Sequence, residues 1–237
     1  MLAGSTAVVT GASRGIGAEI ARLLAASGVR VAVMARTLTA IEAVAAEIGA
    51  GAISIRCDVA DGDSVASASS KVREAFGGPP DILVNNAGAF HLAALHEMTV
   101  DHFAESLQTN LVAPFMMTRE FLGGMRARNS GHVVSIGSVA DRSVFPDNGA
   151  YAASKHGMRA MHEVLLAELR GTGVRATLVS PSAVDTDLWD PIDTESTSSP
   201  FPTRQSMLSA NAVARAVLFA VSQPQGVNID ELRLSRS

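Results

Sequence analysis

The sequence of 237 residues holds a single cysteine, a single tyrosine and a single tryptophan. One cysteine, Cys57, excludes an internal disulfide, and no group of cysteines and histidines has the spacing of a zinc site, so no metal is predicted. No apolar run reaches the roughly 18 residues needed to span a bilayer. The first residues lack the basic start and apolar centre of a secretory signal. These absences predict a cytoplasmic protein without a membrane partner.

A strong excess of charge of either sign is also absent. The net charge is −4, and the arginines are scattered rather than clustered. A protein that binds nucleic acid needs a basic surface that neutralises phosphates. The composition therefore argues against a nucleic acid partner, and the hydrophobic fraction of 47% is that of an ordinary globular protein.

Short β-branched apolar segments alternate along the chain with longer amphipathic segments. Seven strands are predicted, at residues 6–10, 30–35, 52–57, 81–85, 132–136, 174–180 and 227–234. Alternating strands and helices imply right-handed crossovers and a parallel sheet that is covered on both faces. The predicted fold class is therefore α/β, a doubly wound, Rossmann-type parallel sheet in three layers. No linker divides the chain, so a single domain over residues 1–237 is predicted.

One segment departs from this alternation. Residues 185–202 are rich in proline, serine, threonine and acids, which is typical of a loop. The segment follows the carboxyl end of a strand, where open α/β sheets bind ligands. We therefore favour a substrate lid at about 185–208 over filler without function. Trp189 and Phe201 in it would either cover an apolar substrate or pin the loop onto the core.

A glycine-rich segment, Thr10-Gly-Ala-Ser-Arg-Gly-Ile-Gly17, follows the first predicted strand and opens the first predicted helix. Glycines there allow a tight turn and let backbone N–H groups approach a diphosphate at the helix N-terminus. The spacing differs from the commoner G-x-G-x-x-G pattern. In this strand–turn–helix context it nevertheless predicts a dinucleotide site.

The end of the second strand indicates which dinucleotide is bound. An acidic residue there would bind the adenosine ribose and repel a 2′-phosphate, and none is present. Arg36 ends the strand instead, and Arg14 lies in the glycine turn, so two permanent cations could flank a phosphate. NADP(H) is the predicted cofactor, although two solvated surface arginines would give the same pattern. Asp58, after the third strand, would accept from the adenine amino group or only close a turn.

The one tyrosine, Tyr151, stands four residues before Lys155, one of only two lysines. A separation of four places both side chains on one face of a helix. A nearby ammonium favours the phenolate, so the pair predicts a proton donor and acceptor whose pKa is lowered toward neutral pH. The alternative is an ordinary surface pair.

Together these motifs resemble the short-chain dehydrogenase/reductase family, of the NADP-preferring type. The glycine turn resembles the family's cofactor turn, and Asn85-Asn-Ala-Gly88 is similar to its Asn-Asn-Ala-Gly segment. The resemblance implies a catalytic tetrad of Asn110, Ser138, Tyr151 and Lys155. It implies that the cofactor is bound by Gly11, Ser13, Arg14, Gly15, Ile16, Gly17, Arg36, Asp58, Val59, Asn86, Ala87, Gly88, Tyr151, Lys155, Pro181, Val184 and Thr186. One departure is Ser182, where the family usually has glycine after the proline.

The resemblance also implies a mechanism. Tyr151 would give its proton to a carbonyl oxygen as hydride arrives from nicotinamide, Lys155 would hold the nicotinamide ribose, and Ser138 would bind the same oxygen. The sequence adds one inference about Asn110 within a long predicted helix. Pro114, four residues later, has no N–H for the carbonyl of Asn110, which is thereby free to hold a water. The resemblance implies that such a water belongs to a proton relay that starts at Tyr151. Alternatively, the proline only kinks a packed helix.

The substrate is the least determined property. Residues near the predicted cleft are acidic, namely Asp141, Asp185, Asp187, Asp190, Asp193 and Glu195, and mostly oppose one cation, Arg142. Acids disfavour polyanionic substrates, so a small neutral ketone, aldehyde or alcohol is predicted. Two alternatives are a 3-oxoacyl-thioester reductase acting on acyl carrier protein and a catalytically idle NADP(H)-binding sensor. Because the family pairs its two long helices, here about 100–126 and 149–170, a homodimer or homotetramer is expected.

Overall fold

A computed structural model describes residues 2–49, 51–190 and 202–237. Seven of its strands form one parallel sheet, in the order β3-β2-β1-β4-β5-β6-β9. These strands are β1 (Thr6–Thr10), β2 (Arg30–Ala35), β3 (Ile53–Arg56), β4 (Ile82–Asn85), β5 (Gly131–Ile136), β6 (Val174–Pro181) and β9 (Glu231–Leu234). Two further strands of two residues each, β7 (Val184–Asp185) and β8 (Leu208–Ser209), pair with one another. The Rossmann-type fold predicted from the sequence is confirmed.

Helices cover both faces of the sheet. They are α1 (Gly15–Ala26), α2 (Leu38–Ile48), α3 (Gly62–Phe76), α4 (Val100–Leu107), α5 (Ala113–Ala127), α6 (Gly149–Leu169) and α7 (Ala210–Val221). Successive side chains of a strand point to opposite faces, so each strand contributes to two cores. In β1, Val9 packs in the core formed with α1, α2 and α7, whereas Val8 packs in the core formed with α3, α5 and α6. The result is the predicted three-layer arrangement.

The last strand begins later than its sequence pattern indicates. It spans Glu231–Leu234, whereas residues 227–234 were predicted. The carboxamide of Asn228 takes the place of strand backbone, because it accepts from the N–H of Ala176 at 3.0 Å and donates to its carbonyl at 3.0 Å. A side chain thus completes the pairing of β6 before β9 starts.

The long helix predicted at residues 100–126 is interrupted. Between α4 and α5 lies a π-helical turn, Gln108–Val112, in which the N–H of Ala113 donates to the carbonyl of Gln108. Pro114 follows directly and offers no N–H to the carbonyl of Asn110. The wider π turn lets the helix continue although position 114 supplies no N–H donor. The prediction of one continuous α-helix was therefore wrong at this point.

The predicted lid falls partly outside the described residues, since 191–201 are not among them. The flanking residues carry short structure, including the paired strands β7 and β8 and a 3₁₀ turn at Asp187–Trp189. None of the helices in the part of the chain that the structure describes has the length and hydrophobicity required of a membrane span.

Candidate active site

A cavity of about 740 Å³ opens at the carboxyl ends of the central strands. It lies where the strand order reverses between β1 and β4, the position at which open α/β sheets bind ligands. One end is lined by the glycine turn and Arg36, and the other by Ser138, Tyr151 and Lys155. All the residues predicted to bind the cofactor line this cavity except Gly17. Of the predicted tetrad, Asn110 alone does not line it.

The glycine turn is shaped by contacts that no larger residue would permit. Gly11 has φ +64°, and a Cβ there would lie 2.8 Å from Cα of Ala87. A Cβ on Gly17 would lie 2.4 Å from Nδ2 of Asn86. Gly17 is thus required for the close approach of α1 to the loop after β4, which explains its place behind the cavity wall rather than in it.

Asn86 and Thr10 hold the turn in place. Nδ2 of Asn86 donates to the carbonyls of Thr10 and Gly11 at 2.9 and 3.2 Å. Oγ1 of Thr10 accepts from the backbone N–H groups of Asn86 and Ala87 at 3.0 and 3.1 Å. Arg14, at the N-terminal cap of α1, makes no side-chain capping bond. The first N–H groups of the helix are therefore available to a diphosphate.

The end of the cavity beside the glycine turn carries positive charge. Arg14 and Arg36 line it, and within the described ranges neither forms an ion pair. Arg36 is exposed, and its carbonyl accepts from Nε of Arg56 at 3.2 Å. Asp58 also lines the cavity, and its Oδ1 accepts from the N–H of Ala60 at 3.0 Å. Asp58 therefore closes a turn, which was one of its two predicted roles. The other, a hydrogen bond to adenine, stays a prediction.

At the other end, α6 and the loop after β5 bring three side chains together. Nζ of Lys155 lies 5.5 Å from the centre of the Tyr151 ring and donates to the carbonyl of Ile136 at 2.8 Å. Ser138 follows β5, and its Oγ accepts from the N–H of Ala140 at 3.2 Å. Ser138 lies close enough to Tyr151 to lower the pKa of the phenol. The geometry places a hydroxyl, a phenol and an ammonium beside one another.

The electrostatics differ from the sequence expectation. Burial raises the pKa of Tyr151 to about 12, against the opposite effect of Ser138, and the charge of Asp141 raises it further. Burial lowers the pKa of Lys155 to about 8, partly opposed by Asp141. The prediction that the Tyr151 pKa is lowered toward neutral pH was wrong for the protein alone, because desolvation is the largest effect and raises it. Tyr151 consequently keeps a proton to donate at neutral pH.

Asn110 is fully buried, and its side chain has a structural role. Its Oδ1 accepts from the N–H of Ala89 at 2.8 Å, and its Nδ2 donates to the Ala89 carbonyl at 2.8 Å and to Oγ of Ser154 at 3.0 Å. The side chain therefore fastens the loop after β4 to α6. No local pattern in the sequence indicates this role, because the partners are distant along the chain. The role of its carbonyl stays a prediction.

The serine that departs from the family pattern is accommodated. Ser182 lines the cavity, and its N–H donates to the carbonyl of Leu234 in β9 at 2.8 Å. The non-glycine residues with positive φ in the described part of the chain are Asn129 and Asp147. Position 182 therefore does not need the left-handed conformation that favours glycine.

Asp141 does not lie at the cleft mouth, contrary to the sequence expectation. It is 1% exposed, because it follows Ser138 inward in a 3₁₀ turn. Oγ of Ser180 donates to its Oδ2 at 2.5 Å and Nε of Arg142 to its Oδ1 at 2.6 Å. Arg142 also pairs with Glu231 in β9. This buried network ties the Ser138 loop to the ends of β6 and β9. Asp193 and Glu195 lie outside the described residues.

One aromatic ring packs against Tyr151, and a second packs against the first. The ring of Phe90 lies 4.7 Å from that of Tyr151 and 5.3 Å from that of Trp189, edge to face in both cases. Nε1 of Trp189 donates to the carbonyl of Val184 at 3.0 Å. Trp189 therefore both lines the cavity and fastens its segment, while Phe201 lies outside the described residues.

Among the described residues, no three histidine, cysteine, aspartate or glutamate side chains gather as metal ligands would.

Comparison with known proteins gives consistent matches. A family model described as short chain dehydrogenase matches residues 5–197. D-threitol dehydrogenase of Mycolicibacterium smegmatis is 35% identical over 234 residues, covering 96% of this chain and 90% of that protein. The structure of a metagenomic short-chain oxidoreductase in complex with NADP is similar, with TM-score 0.85, 34% identity, and 100% of this chain and 98% of that chain covered. Glycine betaine reductase ATRR of Emericella nidulans is 34% identical over 236 residues, 98% of this chain but 18% of that protein's length.

Proposed function

This chain belongs to the short-chain dehydrogenase/reductase family of nicotinamide-dependent oxidoreductases, and from that premise we propose that it is an NADP(H)-dependent carbonyl reductase or alcohol dehydrogenase. One observation carries the proposal. Ser138, Tyr151 and Lys155 meet at one end of a cavity whose other end holds the glycine turn and two arginines without acidic partners in the described structure. A small neutral carbonyl is the proposed substrate, and the named activity of the D-threitol relative on a small uncharged polyol supports this size and charge.

The bound cofactor supplies hydride to the carbonyl carbon or takes it from the alcohol carbon. In reduction, Tyr151 gives its phenolic proton to the substrate oxygen, which becomes the hydroxyl of the product. Ser138 donates a hydrogen bond to the same oxygen and shares its developing charge. Lys155 keeps a positive charge close to the phenolate that remains, which stabilises it. Phe90, whose ring packs edge to face on Tyr151, lines the same cavity.

A panel of ketones, aldehydes and alcohols, with NADPH and NADH assayed in parallel, tests this function. The panel should include a 3-oxoacyl thioester of acyl carrier protein. Turnover of free carbonyls with NADPH supports the proposal. Activity on the carrier thioester far above that on free ketones would instead favour the thioester reductase. Cofactor binding without any turnover would favour a sensor.

Replacing Arg36 with serine is expected to raise KM for NADPH by about ten- to a hundredfold and to leave KM for NADH nearly unchanged. The reason is that a charge-assisted hydrogen bond to the 2′-phosphate, worth about 1.5–3 kcal/mol, would be lost only with NADPH. Arg126→Ser is a matched control, since Arg126 is an exposed arginine at the end of α5, away from the cavity. Equal changes with both cofactors would contradict the assignment.

The rate of reduction should fall at moderately alkaline pH. Lys155 has its pKa lowered by burial to about 8, whereas Tyr151 keeps its proton up to about 12. Both groups carry their protons below pH 8, and Lys155 loses its charge first as the pH rises. The profile of kcat/KM for the cofactor, which reflects the free enzyme, should therefore show a descending limb near pH 8. A flat profile up to pH 10 would refute this assignment.

Replacing Pro114 with alanine is expected to lower kcat more than it weakens cofactor binding. An N–H at position 114 would compete for the carbonyl of Asn110 and would restore an α-helical turn in place of the π turn at Gln108–Val112. A water held by that carbonyl would be lost, and with it the resupply of protons to Tyr151. Steady-state kinetics and calorimetric cofactor titration separate the two effects. Unchanged kcat would mean that the proline serves packing alone.

We also propose that the chain forms a homodimer or homotetramer through α5 and α6. Both helices expose apolar side chains, Phe115 at 49% and Val164 at 58% of their surface. Such residues on neighbouring helices suit an interface between copies of the chain. Light scattering on the purified protein measures the assembly directly.

A further inference from the structure

Asp141 is a buried carboxylate to which the proposed mechanism gives no task. Both of its oxygens accept a hydrogen bond, Oδ2 from Oγ of Ser180 and Oδ1 from Nε of Arg142. A carboxyl group that accepts at both oxygens is in its ionised form. Because a charge is costly to bury, an ionised carboxylate in the loop that carries Ser138 raises the question of what its charge does there.

Arg142 does not cancel this charge. The same guanidinium also pairs with Glu231 of β9. Two carboxylates therefore share one cation, and the network as a whole keeps one negative charge. Glu231 is exposed, so solvent screens its charge, whereas Asp141 is enclosed. The charge that acts inside the protein is therefore that of Asp141.

The carboxylate of Asp141 lies beside the segment that holds Lys155. Nζ of Lys155 donates to the carbonyl of Ile136 at 2.8 Å, and a Cβ on the next residue, Gly137, would lie 3.1 Å from Oδ2 of Asp141. The ammonium and the carboxylate thus both border the Ile136–Gly137 segment. Both side chains are buried, so little solvent screens the attraction between them.

The charge of Asp141 acts on both protons of the candidate site. Burial lowers the pKa of Lys155 to about 8, and the charge of Asp141 raises it. Burial raises the pKa of Tyr151 to about 12, Ser138 lowers it, and the charge of Asp141 raises it. In each case the carboxylate favours the protonated form. The titratable and charged groups around Asp141 in the described structure are Tyr151 and Lys155 of α6, Arg142 of its own turn and, through Arg142, Glu231 of β9.

We propose that Asp141 is a positioning residue for the reaction, whose fixed negative charge keeps Lys155 charged and Tyr151 protonated at neutral pH. The inference rests on the proposed function. In that mechanism the ammonium of Lys155 stabilises the phenolate that remains after Tyr151 has given its proton to the substrate. Burial alone favours the neutral amine, which would not stabilise the phenolate, and the carboxylate opposes this effect.

The first test is the pH profile of Asp141→Asn. The substitution removes the charge and keeps the volume, since a carboxamide can accept from Arg142 and donate to Ser180. The descending limb of kcat/KM for the cofactor should move from about pH 8 to about pH 7, the effect of one buried charge at short range. At pH 8 the variant should then be about fivefold less active than the wild type, and at pH 6 nearly equal to it.

A second readout does not depend on turnover. The absorbance of phenolate reports Tyr151 alone, because the chain has one tyrosine. In the folded, cofactor-free wild type the transition is expected at a pKa of about 12. In Asp141→Asn it should lie about one unit lower, because the carboxylate no longer opposes ionisation. Circular dichroism at each pH verifies that both proteins are folded.

Ser180→Ala and Glu231→Gln are the matched controls. Ser180→Ala breaks the hydrogen bond to Oδ2 of Asp141 and leaves the charge, and Glu231→Gln removes the exposed carboxylate of the same network. Both should keep the limb and the Tyr151 transition of the wild type. If Asp141 served structure alone, Ser180→Ala would shift them as Asp141→Asn does. Asp141→Glu, which restores the charge, should return both readouts toward the wild type.

An unshifted limb or an unshifted Tyr151 transition in Asp141→Asn would overturn the inference while the proposed function stands. If that variant does not fold, Asp141→Ser, which is smaller and also neutral, is judged by the same two readouts. If the wild type turns over no carbonyl of the panel with either cofactor, the proposed function fails, and the inference about its protons fails with it.

Discussion

Replacing Tyr151 with phenylalanine should lower kcat/KM for carbonyl reduction by about 10²–10⁴-fold, the usual contribution of a general acid. The phenol is the proposed proton donor and lies beside Ser138 and Lys155, and phenylalanine keeps the ring that packs on Phe90 at 4.7 Å. The substitution therefore removes the proton and little else. Cofactor affinity measured by calorimetry should change by less than about twofold. The hydroxyl is directed at the substrate oxygen and therefore contributes little to binding of the dinucleotide in the ground state.

Because the chain has one tyrosine, the ultraviolet absorbance of phenolate reports Tyr151 alone. Titration of the folded, cofactor-free protein should show a transition at a pKa of about 12, raised by burial. The Tyr151→Phe variant provides the blank. If Tyr151→Phe retained more than about a tenth of the wild-type activity, Tyr151 would not be the general acid.

Replacing Asp141 with alanine should lower the free energy of unfolding by about 3–5 kcal/mol, the cost of breaking a buried ion pair from one side. The substitution leaves the Ser180 hydroxyl and the Arg142 guanidinium without the carboxylate that they bond at 2.5 and 2.6 Å. The remaining pair of Arg142 with Glu231 lessens the effect. Urea unfolding followed by circular dichroism measures the change.

Asp185→Ala is the matched control for this prediction. Asp185 also pairs with an arginine, Arg204, at 2.5 Å, but both side chains are exposed, at 49% and 43%. Exposed pairs contribute about 0–1 kcal/mol, because solvent screens them. Equal losses of stability in the two variants would show that burial does not account for the contribution of Asp141 to the free energy of unfolding.

The sequence predicts the sheet well because its strands are covered on both faces and read as continuous apolar runs. It predicts β9 less well, since the pairing of Asn228 with Ala176 joins residues 52 positions apart. The same limit hides Asn110, whose carboxamide holds the loop after β4. Side-chain contacts across the sheet leave no periodic signal along the chain.

The candidate site shows the same division. The Tyr151 and Lys155 spacing indicates a shared helix face, which the structure contains, because helical geometry is local. The pKa of each group depends on how deeply other elements bury it, and the sequence does not reveal that depth. The acid at position 141 illustrates the point, since composition alone places it at the surface and the fold encloses it.

The one tryptophan of the chain lies in the cavity wall, with its indole N–H fixed to Val184. Its intrinsic fluorescence consequently reports on a single location. Reduced nicotinamide absorbs where indole emits, so a reduced cofactor in the cavity should quench the emission of Trp189 by energy transfer. The protein thus carries an internal optical probe with which cofactor occupancy can be followed in real time, without a label and without turnover.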